Sequence, residues 1–432
     1  MRRPLVYDIT RLVTRIFART PNGIDRVDYA FADYILSDSE ARRSGLMMTP
    51  IGPRVIPTRA AREAIDNIRK HWREDADPDS DEGFRAVAAA IDRPLISSLH
   101  ISIARRGQYA DALAWIGRHG IPLGASPGRY LAGGGVYLNV SQFPMGVDRY
   151  FRWLDAEPVV DAVFFIHDLL PLETPEFFRP AERSRHLKRL RTLARFGRAA
   201  IVSTSITREA LLRQMTAAGH PDLPILVAPL PPEKAFAGRD EAETSVGRHP
   251  YFVMVGTIEP RKNHLLILHV WRDLVGQFGP AAPRLLIIGE RGWENEQAAD
   301  LLERCSALRG FVIQASGLAT PALRRLVLGA RALLMPSFAE GYGLPVIEAL
   351  AAGVPVIASD IPVFHEIAGD RATMIDPTDG PGWREAVRRL WLQDAKASQR
   401  RSVSAGLPDW GDFFREIERF LERIAARASA GP

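Results

Sequence analysis

The sequence has a single cysteine, Cys305. It can close no internal disulfide and offers no cysteine-based metal cluster, which removes disulfide-stapled scaffolds and zinc fingers. Long apolar runs are also missing: none reaches the roughly 18 uncharged residues that a membrane-spanning helix needs. The nearest stretch, Gly341 to Ser359, is broken by Glu348, Pro345 and Pro355. Met1-Arg2-Arg3 has the charge of a signal-peptide start, but Asp8, Arg11 and Arg15 interrupt any apolar core behind it, so a cytoplasmic protein is expected. No Gly-x-Gly-x-x-Gly follows the first predicted strand, which speaks against a dinucleotide oxidoreductase. Lysine is scarce, with five against 51 arginines.

What is present is ordinary globular material in quantity. At 432 residues the chain exceeds the size of one hydrophobic core, so two domains are expected. With 46% hydrophobic and 25% charged residues, wholesale disorder is excluded. The net charge of +5 is unevenly placed: residues up to 230 contribute +6 and the remainder −1. Much of the excess lies in Arg179, Arg183, Arg185, Lys188, Arg189, Arg191, Arg195 and Arg198, opposed by Glu182 alone. Leu187, Leu190 and Ala194 give this stretch helical spacing, so it reads as a basic amphipathic helix. Two readings stay open: a solvated arginine-rich helix, or one that docks on an anionic membrane surface. Nucleic acid is not expected, because no aromatic residues alternate with the arginines to stack bases.

Strand-like and helix-like segments alternate along the chain, predicting α/β architecture with parallel sheets. Buried strands are predicted at Leu5–Ile9, Val159–Ile166, Ala199–Val202, Tyr251–Val255, Arg284–Ile288, Phe311–Gln314, Ala332–Met335 and Val354–Ala358. The proline-rich Ala228-Pro-Leu-Pro-Pro-Glu-Lys and the polar run to Pro250 suit an interdomain linker. The stretch from His71 to Asp92 is irregular, and an excursion or mobile loop is expected there; Gly133-Gly134-Gly135 reads as a turn. The string Asp75-Ala-Asp77-Pro-Asp79-Ser-Asp81 mimics a calcium loop, but Ser80 and Ala86 stand where glycine and a bidentate glutamate belong. No metal site is assigned.

The informative region runs from Tyr251 to Asp376. A strand ends at Gly256, a short loop brings Arg261 and Lys262, and a helix starts near Asn263, a good cap residue. Loops leaving strand C-termini face the ligand crevice of a parallel sheet, and a helix start there favours an anion. Two cations on that loop suit a diphosphate, although a chance surface pair has the same sequence. The second element, Pro336-Ser-Phe-Ala-Glu340-Gly-Tyr-Gly-Leu-Pro-Val-Ile-Glu348, ends a strand and opens a helix at Pro345. Glu340 precedes that helix and Glu348 lies about one turn inside it, so the two acids address different parts of one elongated ligand. Gly341 and Gly343 expose backbone N–H groups beside the helix start, a cradle for phosphate oxygens. By periodicity alone the segment is equally a glycine turn with incidental acids.

These residues resemble a known family. Glu340-Gly-Tyr-Gly-Leu-Pro-Val-Ile-Glu348, preceded by Pro336-Ser337 and followed by Ala349 to Ser359 and His365-Glu-Ile-Ala-Gly369, looks like the Glu-x7-Glu motif of retaining family-4 glycosyltransferases of the GT-B fold. Val255-Gly256-Thr257-Ile-Glu259-Pro-Arg261-Lys262-Asn263 resembles the phosphate loop of the family's mannosyltransferase-like branch, which is bacterial. The resemblance covers nearly the whole chain and is strongest from 251 to 376. It implies two Rossmann-like domains with parallel sheets facing a deep cleft. Residues 1–230 would form the acceptor domain, 231–250 the linker and 251–408 the donor domain, with 409–432 a helix returning to the first domain.

The resemblance also implies roles. Gly23, Gly256, Thr257, Arg261, Lys262, Glu340, Gly341, Tyr342, Gly343, Leu344 and Glu348 would bind the donor, a nucleotide-diphosphate sugar. Glu340 would hold sugar hydroxyls and Glu348 ribose hydroxyls. Phe164-Phe-Ile-His167-Asp168 places His167 as the active-site histidine. Asn22, Asp25, Arg26 and Asp168 fall on the acceptor side, and Ser203-Thr204-Ser205 resembles a cleft segment that is equally a helix cap. His167, Arg261, Lys262 and Glu340 form the expected catalytic set, with no cofactor and no metal: cations and amides would stabilise the departing diphosphate. The implied activity is transfer of a hexose, mannose from GDP-mannose by branch resemblance with glucose and rhamnose donors open, to a glycan or lipid-linked acceptor in bacterial surface polysaccharide or exopolysaccharide synthesis. A nucleotide-sugar epimerase and a catalytically silent sugar-binding scaffold are the alternatives.

Overall fold

A computed structural model of the chain describes residues 3–15, 18, 20–37, 42–49, 51–73, 76–92, 99–102, 125–236, 246–393 and 406–429. They fall into two units: one gathers Met1–Trp72, Arg105–Leu230 and Pro408–Pro432, the other Arg73–Ala104 and Pro231–Leu407.

The first unit is built on β1 (Leu5–Asp8), β2 (Arg43–Thr49), β3 (Gly52–Ile56), β5 (Gly135–Asn139), β6 (Val160–Ile166), β7 (Ala199–Val202) and β8 (Ile225–Val227), where β4 belongs to the other sheet. Their order is β3-β2-β1-β5-β6-β7-β8, parallel except where β3 turns back on β2. All seven residues of β6 are buried, as expected for a central strand covered on both faces. Strand order reverses between β1 and β5, the switch point where α/β sheets receive ligands. The glycine triplet is only partly a turn. Gly134 has φ +86, but Gly135 opens β5, where a Cβ would stand 2.7 Å from the Pro4 carbonyl oxygen. The close pairing with the chain beside it, not turn chemistry, requires that glycine.

Of the expected face of the helix Pro180–Phe196, Leu190 is buried and Ala194 packs against the core, and Leu193 and Phe196 join them inward. Several of its cations are engaged: Arg195 pairs with Asp148 (3.1 Å) and Asp155 (2.7 Å), Arg185 with Glu182. Arg183, Lys188 and Arg191 remain exposed. The helix Trp410–Ser429 belongs to this unit. Phe413, Phe414, Ile417, Phe420, Leu421 and Ile424 recur at helical spacing and are buried. Phe414 stacks on Tyr34 with ring centroids 3.9 Å apart, and Glu418 meets Arg43 at 2.5 Å.

The second unit holds β9 (Tyr251–Val255), β10 (Arg284–Ile288), β11 (Val312–Ser316), β12 (Leu333–Met335), β13 (Val356–Ser359) and β14 (Thr373–Ile375), joined at one edge by β4 (Leu99–Ser102). The order is β14-β13-β12-β9-β10-β11-β4, all parallel, with the switch point between β9 and β12. β9 and β10 have the predicted bounds, and the predicted ends of β11, β12 and β13 differ from the observed ones by at most two residues, the usual fraying of boundaries.

The excursion from His71 is a correction on two counts. It contains ordered helices, Thr58–Trp72 running into it and Glu82–Asp92 within it, and residues 73–104 belong to the second unit rather than to a continuous 1–230 domain. Its acids act as caps: Asp81 accepts from the N–H groups of Gly83 (2.9 Å) and Phe84 (3.1 Å), and Asp77 accepts from Asp79. Dense acids around Phe84, Val87, Ala90 and Ile91 hide that helix's apolar face in the sequence. Of the expected linker, residues 237–245 lie outside the described set.

Replacing Phe414 by alanine removes a buried ring from this interface. The expected effect is a loss of about 3 kcal/mol or more, read as an earlier first-unit transition in urea. An unmoved transition would contradict the packing.

Candidate active site

The site in the second unit forms where the loops after β9 and β12 leave the sheet at its switch point. β9 ends in Gly256, whose carbonyl oxygen would lie 1.9 Å from a Cβ at Gly289, so the β9 and β10 ends run backbone on backbone. Gly256 has φ +143, and a side chain there would press on the Lys262 stem at 3.3 Å. The 3-10 turn Pro260–Lys262 then aims its two cations. Asn263 departs from the expected cap: it is left-handed at φ 54, and its amide donates to the Pro377 carbonyl (2.8 Å), which ties the loop to the next connection instead of capping His264–Phe278.

The β12 loop meets the β9 loop through Phe338 N–H, which donates to the Arg261 carbonyl at 2.8 Å. Glu340 is then enclosed by donors. Arg261 Nη1 reaches Oε2 at 2.7 Å, while Lys262 Nζ and Ser337 Oγ reach Oε1 at 2.5 and 2.7 Å. Arg261 also binds the Ala339 carbonyl (3.0 Å) and, through Nε, Glu259 Oε1 (2.6 Å). Two cations and two carboxylates thus form a buried, charge-balanced square.

Burial pushes the Glu340 carboxyl up, but Arg261 and Lys262 outweigh it and hold the group at about 2. Burial lowers Lys262 against the opposing pull of Glu340, and raises Glu259 against Arg261 and Lys262. Glu259 and Ser337 were not among the expected site residues. Their signal was their place inside the two motifs, which spacing alone does not resolve into partners.

The helix Leu344–Ala351 begins after Gly343, which has φ +104 and where a Cβ would stand 2.8 Å from a Phe364 ring carbon. That geometry demands glycine. Gly341 and Tyr342 lead into it, and Glu348 is buried at 3% exposure one turn inside. Thr257 faces Gly292, where a Cβ would lie 2.8 Å from its methyl.

The first-unit residues divide. Asn22 and Asp25 cap one another across the start of Gly23–Ser37: Asn22 Oδ1 accepts from Asp25 N–H at 2.9 Å, and Asp25 Oδ2 from Asn22 N–H at 3.1 Å. Asp25 is fully buried and pairs with Arg11 (2.9 Å) and Arg15 (2.8 Å), so it ties the loop after β1 to the helix. Arg26 lies one residue further on, half-buried. Thr204 accepts from Thr207 N–H at 3.1 Å and is a helix cap. His167 ends β6 with Nε2 donating to the Val140 carbonyl at 2.9 Å, a partner that only accepts, which leaves Nδ1 as an acceptor. Burial pushes its pKa down to about 4, so it is neutral at physiological pH. The neighbouring Asp168 accepts from Leu170 N–H at 3.2 Å.

Glu340 supplies a pH test. Its folded pKa lies below the unfolded value, so its stabilisation is full above about pH 4.5 and lost as pH falls towards 2. Glu340→Gln leaves two buried cations short of a partner. It is expected to lose about 3 kcal/mol at pH 7, with the gap to wild type constant down to about pH 4.5. Equal urea midpoints at pH 7 would contradict the pairing.

Residues 239–405 match the family of glycosyl transferases group 1. Among characterised relatives, the O-antigen chain mannosyltransferase B of Escherichia coli is 29% identical over 256 residues, covering 54% of this chain and 66% of that protein. The serotype-specific mannosyltransferase WbdA of Escherichia coli is 37% identical over 123 residues, 28% of this chain and 15% of that protein. The O-antigen chain mannosyltransferase RfbU of Salmonella typhimurium is 33% identical over 146 residues, 32% of this chain and 38% of that protein. Each match spans less than two thirds of the relative's length. Among solved structures, Anabaena HepE in complex with UDP and glucose aligns with a TM-score of 0.61 at 14% identity, over 98% of this chain and 100% of that one. Sucrose-phosphate synthase from Thermosynechococcus elongatus aligns at 0.59 and 16% identity, over 99% and 100%. These structures establish the fold. Residues 239–405 are thus similar to glycosyl transferases group 1, and the two α/β sheets share the fold of these solved structures.

Proposed function

We propose that the chain is a nucleotide-sugar-dependent hexosyltransferase that moves mannose from GDP-mannose, with retention, onto a glycan or lipid-linked acceptor in O-antigen-type polysaccharide synthesis. The observation that carries the reading is the Arg261, Lys262 and Glu340 cluster at the β9–β12 switch point. The names of the relatives support the polysaccharide context and the choice of mannose.

Breaking the bond between the anomeric carbon and the diphosphate oxygen leaves negative charge on the diphosphate and positive charge on the sugar. Arg261 and Lys262, with the N–H groups from Gly341 to Leu344, stabilise the departing oxygen. Because Glu340 and Glu259 already hold both cations in place, little side-chain freedom is lost when the donor arrives. Glu348 takes the ribose hydroxyls. Attack comes from the face the diphosphate leaves, and its oxygen receives the acceptor proton, which retains the anomeric configuration without a covalent enzyme intermediate. His167, being neutral, serves as a hydrogen-bonding group to a sugar hydroxyl and not as a fixed cation. The cations do the work a divalent metal does elsewhere. Among the described residues no helix is long and apolar enough to cross a membrane, and exposed Arg183, Lys188 and Arg191 provide a weak electrostatic contact with an anionic surface.

Lys262→Ala is expected to lower turnover of GDP-mannose with acceptor by at least about a thousandfold while the circular dichroism spectrum stays native. Activity within tenfold of wild type would remove the role. Glu348→Ala is expected to weaken nucleotide binding by calorimetry by about tenfold or more, and unchanged affinity would remove that assignment. Wild-type turnover is expected to survive excess EDTA, and its loss with recovery on adding magnesium would overturn the metal-free mechanism.

A further inference from the structure

The loop after β5 lies at the first unit's switch point and contains a residue held in an unusual way. Gln142 has φ 59, the left-handed region that non-glycine residues rarely enter. Asn139 imposes it: Oδ1 accepts from Gln142 N–H at 2.9 Å, while Nδ2 donates to the Phe143 carbonyl at 2.9 Å and to Asp8 at 3.0 Å. Thr192 of the helix Pro180–Phe196 binds the Met145 carbonyl at 2.5 Å and fixes the far end of the loop.

The side chain so placed is 6% exposed, and its amide nitrogen has no hydrogen-bond partner. An orphan donor of this kind costs about 1–3 kcal/mol unless a ligand satisfies it. Its oxygen accepts from Arg189 Nη1 at 3.4 Å. The same Nη1 donates to His186 Nε2 at 3.3 Å, and His186 Nδ1 donates in turn to the Glu182 carbonyl at 3.0 Å. Arg189 therefore bonds only neutral acceptors among the described residues, although most of its donors have room for another partner. Asp168 is near enough for its charge to act on Arg189, yet the pair lies beyond ion-pair distance. One Asp168 oxygen accepts from Leu170 and the other makes no hydrogen bond among the described residues.

An unsatisfied amide donor, a planar guanidinium in contact with the same side chain and a carboxylate acceptor whose charge reaches that guanidinium match two adjacent hydroxyls, each of which both donates and accepts. The charges of Arg189 and Asp168 offset one another, which favours a neutral ligand over an anion. We propose that Gln142, Arg189 and Asp168 form a subsite for neighbouring hydroxyls of a neutral acceptor sugar. This rests on the glycosyltransferase reading and names the acceptor's chemistry.

The test uses the full chain, a nucleotide hexose that wild type turns over, and methyl glycosides of mannose, glucose and galactose as acceptors. Gln142→Glu and Arg189→Lys are each expected to raise the KM for the preferred methyl glycoside at least tenfold, with a donor KM that moves less than twofold and so reports an intact fold. An unmoved acceptor KM would overturn the subsite, as would failure of every methyl glycoside to accelerate wild-type nucleotide release. Competition between inorganic phosphate and the methyl glycoside would assign an anion instead and also overturn it. If wild type releases nucleotide from no donor at all, the glycosyltransferase reading fails.

Discussion

The arrangement rests on a carboxylate held between two cations. Glu340 takes Arg261 on one oxygen and Lys262 on the other, and burial makes both bonds strong while making either charge costly without the other. Without Glu340, two adjacent buried cations would repel, and Lys262, already pushed down by desolvation, would tend to lose its proton. With it, both stay charged and aimed at the end of the sheet. Glu259 and Ser337 complete the enclosure from the two loops that provide the cations and the carboxylate.

The sheet decides where this square stands. In each unit the strand order reverses once, and the loops that flank the reversal hold candidate site groups: those after β9 and β12 in the second unit, those after β1 and β5 in the first. The second unit concentrates charge there. The first concentrates neutral or charge-compensated groups: an uncharged His167, Gln142 with its unpartnered amide, and Arg189 balanced at a distance by Asp168.

Much of this was legible in the sequence because its signals were local. Buried parallel strands such as Tyr251–Val255 and Arg284–Ile288 are continuous apolar runs, and the Gly256 to Asn263 and Pro336 to Glu348 loops have turn and cation chemistry within a few residues. What stayed hidden depends on distant pairing. β4 is only four residues, Leu-His-Ile-Ser, too short an alternation to stand out, and is a strand through its ladder with β11, more than two hundred residues away. β2 reads Arg-Ser-Gly-Leu-Met-Met-Thr, with neither alternation nor β-branched density. The second unit also borrows residues 73–104 from the first half of the chain, and the acid-rich start of that stretch marks an excursion without saying which sheet it joins. Asn263, a good cap by type, is used to bridge to Pro377. Asp25, two residues after Gly23, is expected on the acceptor side, and its pairing with Arg11 and Arg15 is a distant contact that spacing does not show.

The central claim is that the paired cations recognise a diphosphate. The most direct measurement is the calorimetric affinity of the wild-type chain for GDP and for GMP, beside that of Arg261→Met. The account predicts that wild type prefers GDP by at least tenfold and that the preference collapses in the variant while GMP binding is retained. Equal affinity of wild type for the two nucleotides, or an undiminished preference in the variant, would contradict it.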